Sequence, residues 1–272
     1  MKTLRMFGAL LLTCVMCLNF VACDDDPTGN SQPDAPGVVN PSNVFAEKAP
    51  QSAVGLDITR NDKGLVTKMV SSDGSEITFN YNNAITRATS NYIVMTVKHP
   101  HYPDEIVFNL VIGTNGFISN WKNVTHNENG MFGYNGDGQL NYLKYNHADG
   151  GYDELKMTYE NGNLTETNSR DTYYFTTGYT NADGTTIPNK GGVMVYDDQT
   201  FGIEGDDYCD LMNWLHYAGL LGKATKDLPL SFVDYFDDEG KYEWQLDDSG
   251  FPVKFMNPEA SEVDEVECSF SW

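Results

Sequence analysis

The chain has 272 residues, of which 39 are acidic and 17 basic, for a formal net charge of -22. A surface of that sign repels phosphate backbones and anionic headgroups, so nucleic acid is excluded as an expected partner, while cations, basic proteins and neutral glycans stay open.

The first element is a short apolar run. Lys2 and Arg5 precede a stretch from Met6 to Val21 that carries no charge and one strongly polar residue, Asn19, which is the pattern of a signal peptide. A membrane-spanning helix needs about 20 apolar residues, and this run stops short, with Asp24, Asp25 and Asp26 following at once. Ala22 offers the small residue a signal peptidase needs, and Cys23 offers a thiol to carry a diacylglyceryl group. The segment "FVAC" (20–23) resembles the lipobox of bacterial lipoproteins, with Phe20 where that motif usually has Leu. Cys14 and Cys17 have poorer cleavage contexts, and a plain secretory signal is the alternative. Residues 1–22 are therefore expected to be removed, taking Lys2 and Arg5 with them and leaving a charge of -22 less two, or -24. The partner expected for Cys23 is outer-membrane lipid, held through palmitate-type acyl chains. Each buried methylene contributes about 0.8 kcal/mol, so two or three chains hold firmly where one does not. Asp24 to Asp26 resemble the acidic export signal of Bacteroides-type lipoproteins, which implies the outer membrane with the protein facing the cell exterior. A solvated acidic tether is the other reading.

Residues 23–52 form an acidic, Pro-rich linker that includes Pro27, Pro33, Pro36, Pro41 and Pro50. Residues 53–272 suffice for a single domain with a sizeable core. Period-two alternation marks its strands, as in Ile106, Phe108, Leu110 and Ile112, or Val266, Cys268, Phe270 and Trp272. Further strands are expected at 92–97, 154–160, 172–177, 192–197, 230–236 and 241–246. Between strands, Asn or Asp followed by Gly64, Gly116, Gly138, Gly162 or Gly250 gives hairpin turns in which glycine takes positive φ. One segment differs: Leu211, Trp214, Leu215, Ala218 and Leu221 recur at helical spacing, with Asp206 and Asp207 as N-cap candidates and Gly222 as the stop, predicting a helix near 207–221. The fold class is mostly β, an antiparallel meander of hairpins forming a curved sheet or closed soluble barrel with one helix packed on it.

The segment "YAGLLGKATKDLPL" (217–230), the hairpin "KYEWQLDDSGFPVKF" (241–255) and the lipoprotein start together resemble an uncharacterised family of Bacteroides-type lipoproteins described as having a porin-like β fold. The resemblance covers roughly residues 55–272. It implies a curved or closed antiparallel sheet and assigns no catalytic residue.

The residues themselves assign none either. "GLLGKAT" fails as a phosphate loop, because Tyr217 stands at the first glycine position, Ala224 replaces the hydroxyl, and the stretch ends a helix instead of starting one. His99 and His101 share one side of an extended segment but lack a third ligand nearby. The calcium loop pattern fails around Gly184 and Gly240, leaving looser calcium binding by Asp237, Asp238 and Glu239 as a minor alternative. With 39 acids, some carboxylate pair always suits glycoside hydrolysis, so none is singled out. No cofactor is expected. Cys209 and Cys268 allow one disulfide or two buried thiols. Most aromatics are expected in the core, with Trp121 in "NWKNVTHNENG" the candidate exposed platform for a sugar ring or protein partner. The expected function is a non-enzymatic surface scaffold binding a glycan or protein. The alternatives are a surface hydrolase acting on glycans and an envelope structural protein.

Overall fold

A computed structural model describes residues 38–81, 92–101, 103–169, 174–197, 206–234, 236–257 and 267–272. It contains β1 (Ser52–Ala53), β2 (Leu56–Arg60), β3 (Val66–Ser71), β4 (Glu76–Asn80), β5 (Tyr92–Lys98), β6 (Ile106–Ile112), β7 (Ile118–Asn123), β8 (Glu128–Tyr134) and β9 (Leu140–Asn146). There follow β10 (Tyr152–Glu160), β11 (Asn163–Ser169), β12 (Tyr174–Gly178), the helix α1 (Asp206–Tyr217), β13 (Ser231–Val233), β14 (Glu239–Lys241), β15 (Glu243–Leu246), β16 (Pro252–Met256) and β17 (Glu267–Ser271).

Each strand pairs antiparallel with the next in sequence, except β14 with β15, and β17 returns to β1 through Ser52 opposite Ser271 and Ala53 opposite Phe270. The antiparallel steps on either side require β14 and β15 to run the same way. They are two arms of one strand, bent at Tyr242, whose N–H donates to the Leu230 carbonyl. The 17 strands thus act as an even number, the condition for an antiparallel ring to close. The result is a nearly closed, barrel-like meander, as the alternation and hairpin turns predict, and closure leaves few unpaired strand edges.

The turns close as their composition requires. At Asn61 the side-chain Oδ1 accepts from the N–H of Lys63 (3.0 Å) and Leu65 (3.1 Å), and Gly64 takes φ +76°. Asn135 does the same for Asp137 and Gln139 beside Gly138, and Asp247 for Ser249 and Phe251 beside Gly250. The Asx oxygen satisfies backbone donors that the ladder cannot reach.

One face of every long strand is buried. Ile93, Met95 and Val97 of β5, Phe108 and Leu110 of β6, and Leu155 and Met157 of β10 share one core with Leu211, Leu215 and Tyr217 of α1. Because the ring closes with this face inward, the helix packs on the inside of the barrel. The long connection from β12 to β13 that carries α1 also ties down the turns at one end. The Ile118 N–H donates to the Leu220 carbonyl, Lys223 to Gly138, and Lys226 to Gly162. This end is plugged.

Two expectations are corrected here. The helix ends at Tyr217, four residues before its predicted limit, because Gly219 (φ +78°) stops it before Gly222 can. The Leu220 N–H donates to the Leu215 carbonyl and the Gly219 N–H to the His216 carbonyl, the paired bonds of a glycine-terminated helix. Residues 192–197 are not a strand. Val193, Met194, Val195 and Tyr196 are all buried in succession, which a half-buried strand cannot do. Side chains take the place of a ladder: Asn213 donates to the Tyr196 carbonyl and accepts from its N–H, and the Tyr217 hydroxyl serves Met194 in both ways.

Residues 41–50, within the stretch read as linker, pack on this plugged end. Val44 and Phe45 are buried, and Phe45 stacks near Tyr217 and meets His216 edge-on. Cys209 and Cys268 are not joined in a disulfide; both are half-buried thiols.

Candidate functional site

The opposite end of the barrel is a rim built from the turns β3–β4, β5–β6, β7–β8, β9–β10 and β13–β14. Four of the five histidines stand there, His99, His101, His126 and His147. Its described turn residues also include Asp73, Asp104, Glu105, Asp149, Asp234, Asp237 and Asp238, and no Lys or Arg. Hairpin chemistry placed the acids: Asp73 accepts from the Ser75 N–H (2.9 Å), and Asp234 accepts from the N–H of Phe236 and Asp238 (2.9 Å each).

Within the rim the side chains form small polar groups. The Asp73 carboxylate also accepts from the Ser71 and Ser75 hydroxyls and lies 3.0 Å from His99 Nε2. Those bonds, the Ser71 hydroxyl foremost, hold its pKa at about 2. The His101 N–H donates to His99 Nδ1, so the two histidines lean on one another with ring centres 5.4 Å apart. Further round, Asn123 donates from Nδ2 to Glu128 (3.2 Å), also lies 3.3 Å from His126 Nδ1, and accepts the His126 N–H. His147 Nε2 lies 2.8 Å from Asp153.

Below this second group an aromatic series leads into the core. His147 packs on Tyr145, Tyr145 on Trp121, and Trp121 toward Phe108. The inward face brings them together, since Trp121 pairs with Gly130 and Gly130 with Tyr145.

Trp121 is therefore not the exposed platform expected of it. It is 2% exposed and belongs to the core, because its place in β7 points it inward, and the loop-like "KNVTHNENG" that follows begins only after it. Cys23, Asp24, Asp25 and Asp26 lie outside the described residues. Among the described residues no group of three or more His, Cys, Asp or Glu is arranged to hold a metal ion. Asp237 and Asp238 sit in the turn that Asp234 caps. Asn123, His126, Glu128, His147 and Asp153 were not singled out from sequence. Period-two counting outward from Phe132, Tyr145 and Leu155 would have put Glu128, His147 and Asp153 on the inward face, but only strand pairing makes them neighbours.

The barrel has a chemical polarity that bears on use. Its outer wall is mixed and polar: one row across β5 to β10 reads Tyr92, Val111, Asn120, Met131, Lys144 and Glu154, and the next reads Val94, Asn109, Lys122, Asn129, Asn146 and Tyr152. No helix of the described residues is long and apolar enough to cross a membrane.

No family model and no curated protein matches the chain. Among solved structures it is similar to a porin-like protein from Bacteroides uniformis ATCC 8492, with a TM-score of 0.57 and 14% identity over 79% of this chain and 89% of that one. At that identity the likeness is one of fold: the chain has a porin-like β fold.

Proposed function

We propose that this protein is a lipid-anchored scaffold of the bacterial outer surface that binds a glycan or protein ligand, and that it is not a channel. The observation that carries this reading is the inversion of the barrel. A membrane pore presents an apolar band of about 25 Å to lipid and a polar lumen to water, with strands of about 9–11 residues. Here the outer rows carry Lys122, Lys144, Glu154 and several Asn, the inner face is apolar and packed with α1, and among the described strands only β10 reaches nine residues. Such a wall is suited to water. The polar rim, where histidines and acids from several turns gather, is the surface offered to a partner. The anchor part of the reading rests on "FVAC" and Cys23.

Two measurements test it. Residues 35–272, which include the packed segment before β1, should fold as a monodisperse, β-rich protein in detergent-free buffer and add no conductance to a planar bilayer. Folding only in detergent, or conductance, would overturn the scaffold in favour of transport. Metabolic labelling with a radioactive fatty acid should mark the full chain and not Cys23→Ala; equal labelling of both would remove the anchor.

A further inference from the structure

Two of the rim's polar groups meet on the inner lip of β7–β10. Asn123 faces Glu128 across β7–β8, and the β8–β9 register, with Asn129 opposite Asn146, carries one step further to set Glu128 opposite His147. Asp153 stands opposite Tyr145, one inward position below. Four adjacent strands spaced by about 4.8 Å make this lip about 14 Å wide. Asn123 is 4% exposed, and its carboxamide bonds to the Glu128 carboxylate, the His126 ring and the His126 N–H, so it fixes the lip's own side chains. Its Nδ2 can only donate, so His126 Nδ1 accepts and the proton of that ring sits on Nε2. His147 Nε2 donates to the Asp153 carboxylate. The lip thus sets the carboxylate oxygens of Glu128 and Asp153, as acceptors, beside an imidazole N–H donor. One further donor in this patch has no partner. Trp121, one inward position below Asn123, is 2% exposed, and its Nε1 has no acceptor among the described residues. The indole Cε2 that carries this nitrogen lies against Gly130, one inward position below Glu128. A buried unpaired donor costs about 1–3 kcal/mol until an acceptor reaches it.

We propose that this lip is the ligand subsite of the scaffold and that it takes a neutral sugar, whose hydroxyls bridge Glu128, Asp153 and His126 while one ligand oxygen accepts from Trp121 Nε1. This rests on the scaffold reading above and names its ligand class. A sugar hydroxyl both donates and accepts, which matches acceptors and donors placed side by side. The lysine or arginine of a basic partner only donates, and would leave the imidazole and indole N–H groups facing a cation. An anionic sugar would meet Glu128 and Asp153 with no Lys or Arg among the described rim-turn residues to offset them. The side chains of Glu128, His147 and Asp153 are half-buried or exposed and hydrogen-bond only to other side chains, so they can part for a hydroxyl without breaking the strand ladder. Asn123 sets Glu128 and His126 in advance, which lowers the ordering cost of binding. Tyr145, packed between His147 and Trp121, backs the lip with an apolar ring.

The test screens the full-length protein against immobilised neutral oligosaccharides (β-glucan, α-mannan, galactan and chitin fragments), their sulfated and uronic counterparts, and a Lys-rich peptide. Calorimetry then measures affinity for the strongest neutral binder. A neutral oligosaccharide should bind in preference to the charged probes, and Glu128→Ala and Asp153→Ala should each weaken it at least tenfold. Asp248→Asn, in the exposed turn β15–β16, should leave it within twofold. Trp121→Phe should keep the fold and weaken binding at least threefold; equal binding would take the indole N–H out of the site. Unchanged affinity in both alanine variants would overturn the lip as the subsite. Preference for the Lys-rich peptide or the anionic sugars, or no neutral binder at millimolar concentration, would overturn the ligand class. Any of these can occur in a protein that folds without detergent and adds no conductance, which leaves the scaffold reading standing. Conductance overturns that reading whatever the sugars do, so the two failures are distinct.

Discussion

Trp121 of β7 lies against Gly130 of β8, so that a Cβ on Gly130 would stand 2.5 Å from the indole Cε2. The glycine is the floor on which the indole rests. Its Cα has no other room, since the Lys144 carbonyl also closes in on the same side. Gly130→Ala should therefore destabilise the fold by about 1–3 kcal/mol through overpacking, measured as a lower urea midpoint with unchanged slope.

Trp121 itself carries two opposed terms. Its side chain is core, yet its Nε1 donor is buried without an acceptor. Trp121→Ala should cost about 3–5 kcal/mol as a cavity. Trp121→Phe loses volume but relieves the unpaired donor, whose burial costs about 1–3 kcal/mol, so a change within about 1 kcal/mol is expected. A Phe variant as damaged as the Ala variant would show that the indole N–H matters.

His216 gives the plug a pH dependence. It is wholly buried, ringed by Phe45, Tyr196 and Tyr217, and its Nε2–H donates to the Gly192 carbonyl at 2.9 Å while Nδ1 has no partner. Burial pushes its pKa down to about 4, the Gly192 carbonyl pulling the other way. The folded value lies below the unfolded one, so the unfolded chain binds the extra proton. The neutral ring's contribution is complete above pH 6.5 and is lost as pH falls toward 4, by up to about 3 kcal/mol. Stability curves of wild type and His216→Gln between pH 7 and 4 should converge on acidification; parallel curves would show that another group governs the acid limb.

Gly219 ends the helix and lies against Pro41, in the segment 41–50 that packs on the plugged end. Gly219→Ala meets both a left-handed backbone, which costs about 1–2 kcal/mol, and the Pro41 Cα at 2.8 Å. Gly184, also at positive φ (+83°) but with open space around it, is the control. The Gly219 variant should lose clearly more thermal stability than Gly184→Ala. Equal losses would mean that the segment holding Pro41 yields.

Replacing Asp24, Asp25 and Asp26 with Ala should protect the protein from protease added to intact cells while leaving fatty-acid labelling in place. Equal shaving of both forms would reduce the three acids to a tether.

The alternating apolar residues of β5, β6 and β10 and the Asx-Gly turns were legible because strand and hairpin chemistry is local: two residues decide a face and four decide a turn. Gly64, Gly138 and Gly250 needed nothing from the rest of the chain. The helix, too, announced itself by spacing, but its end did not. Gly219 and Gly222 are equal as local stops, and the choice fell to the residue whose stop lets the chain turn under Pro41. "GVMVYD" misled for a related reason, since strand-like residues buried on both sides can be held by helix side chains such as Asn213 and Tyr217 in place of a neighbouring strand. Trp121 looked like a surface residue because polar neighbours surround it in sequence, whereas its inward face depends on β7 pairing with Gly130. What the sequence determined by itself is the class of local structure, the mixed and polar outer face of the strands and the acidic charge, all properties of near neighbours. Only tertiary structure decided that the meander closes, that one end is plugged by α1 and residues 41–50, and that histidines and acids far apart in sequence share the opposite rim. Closure depends on β17 meeting β1 more than two hundred residues away, a contact whose partners carry no mark of each other.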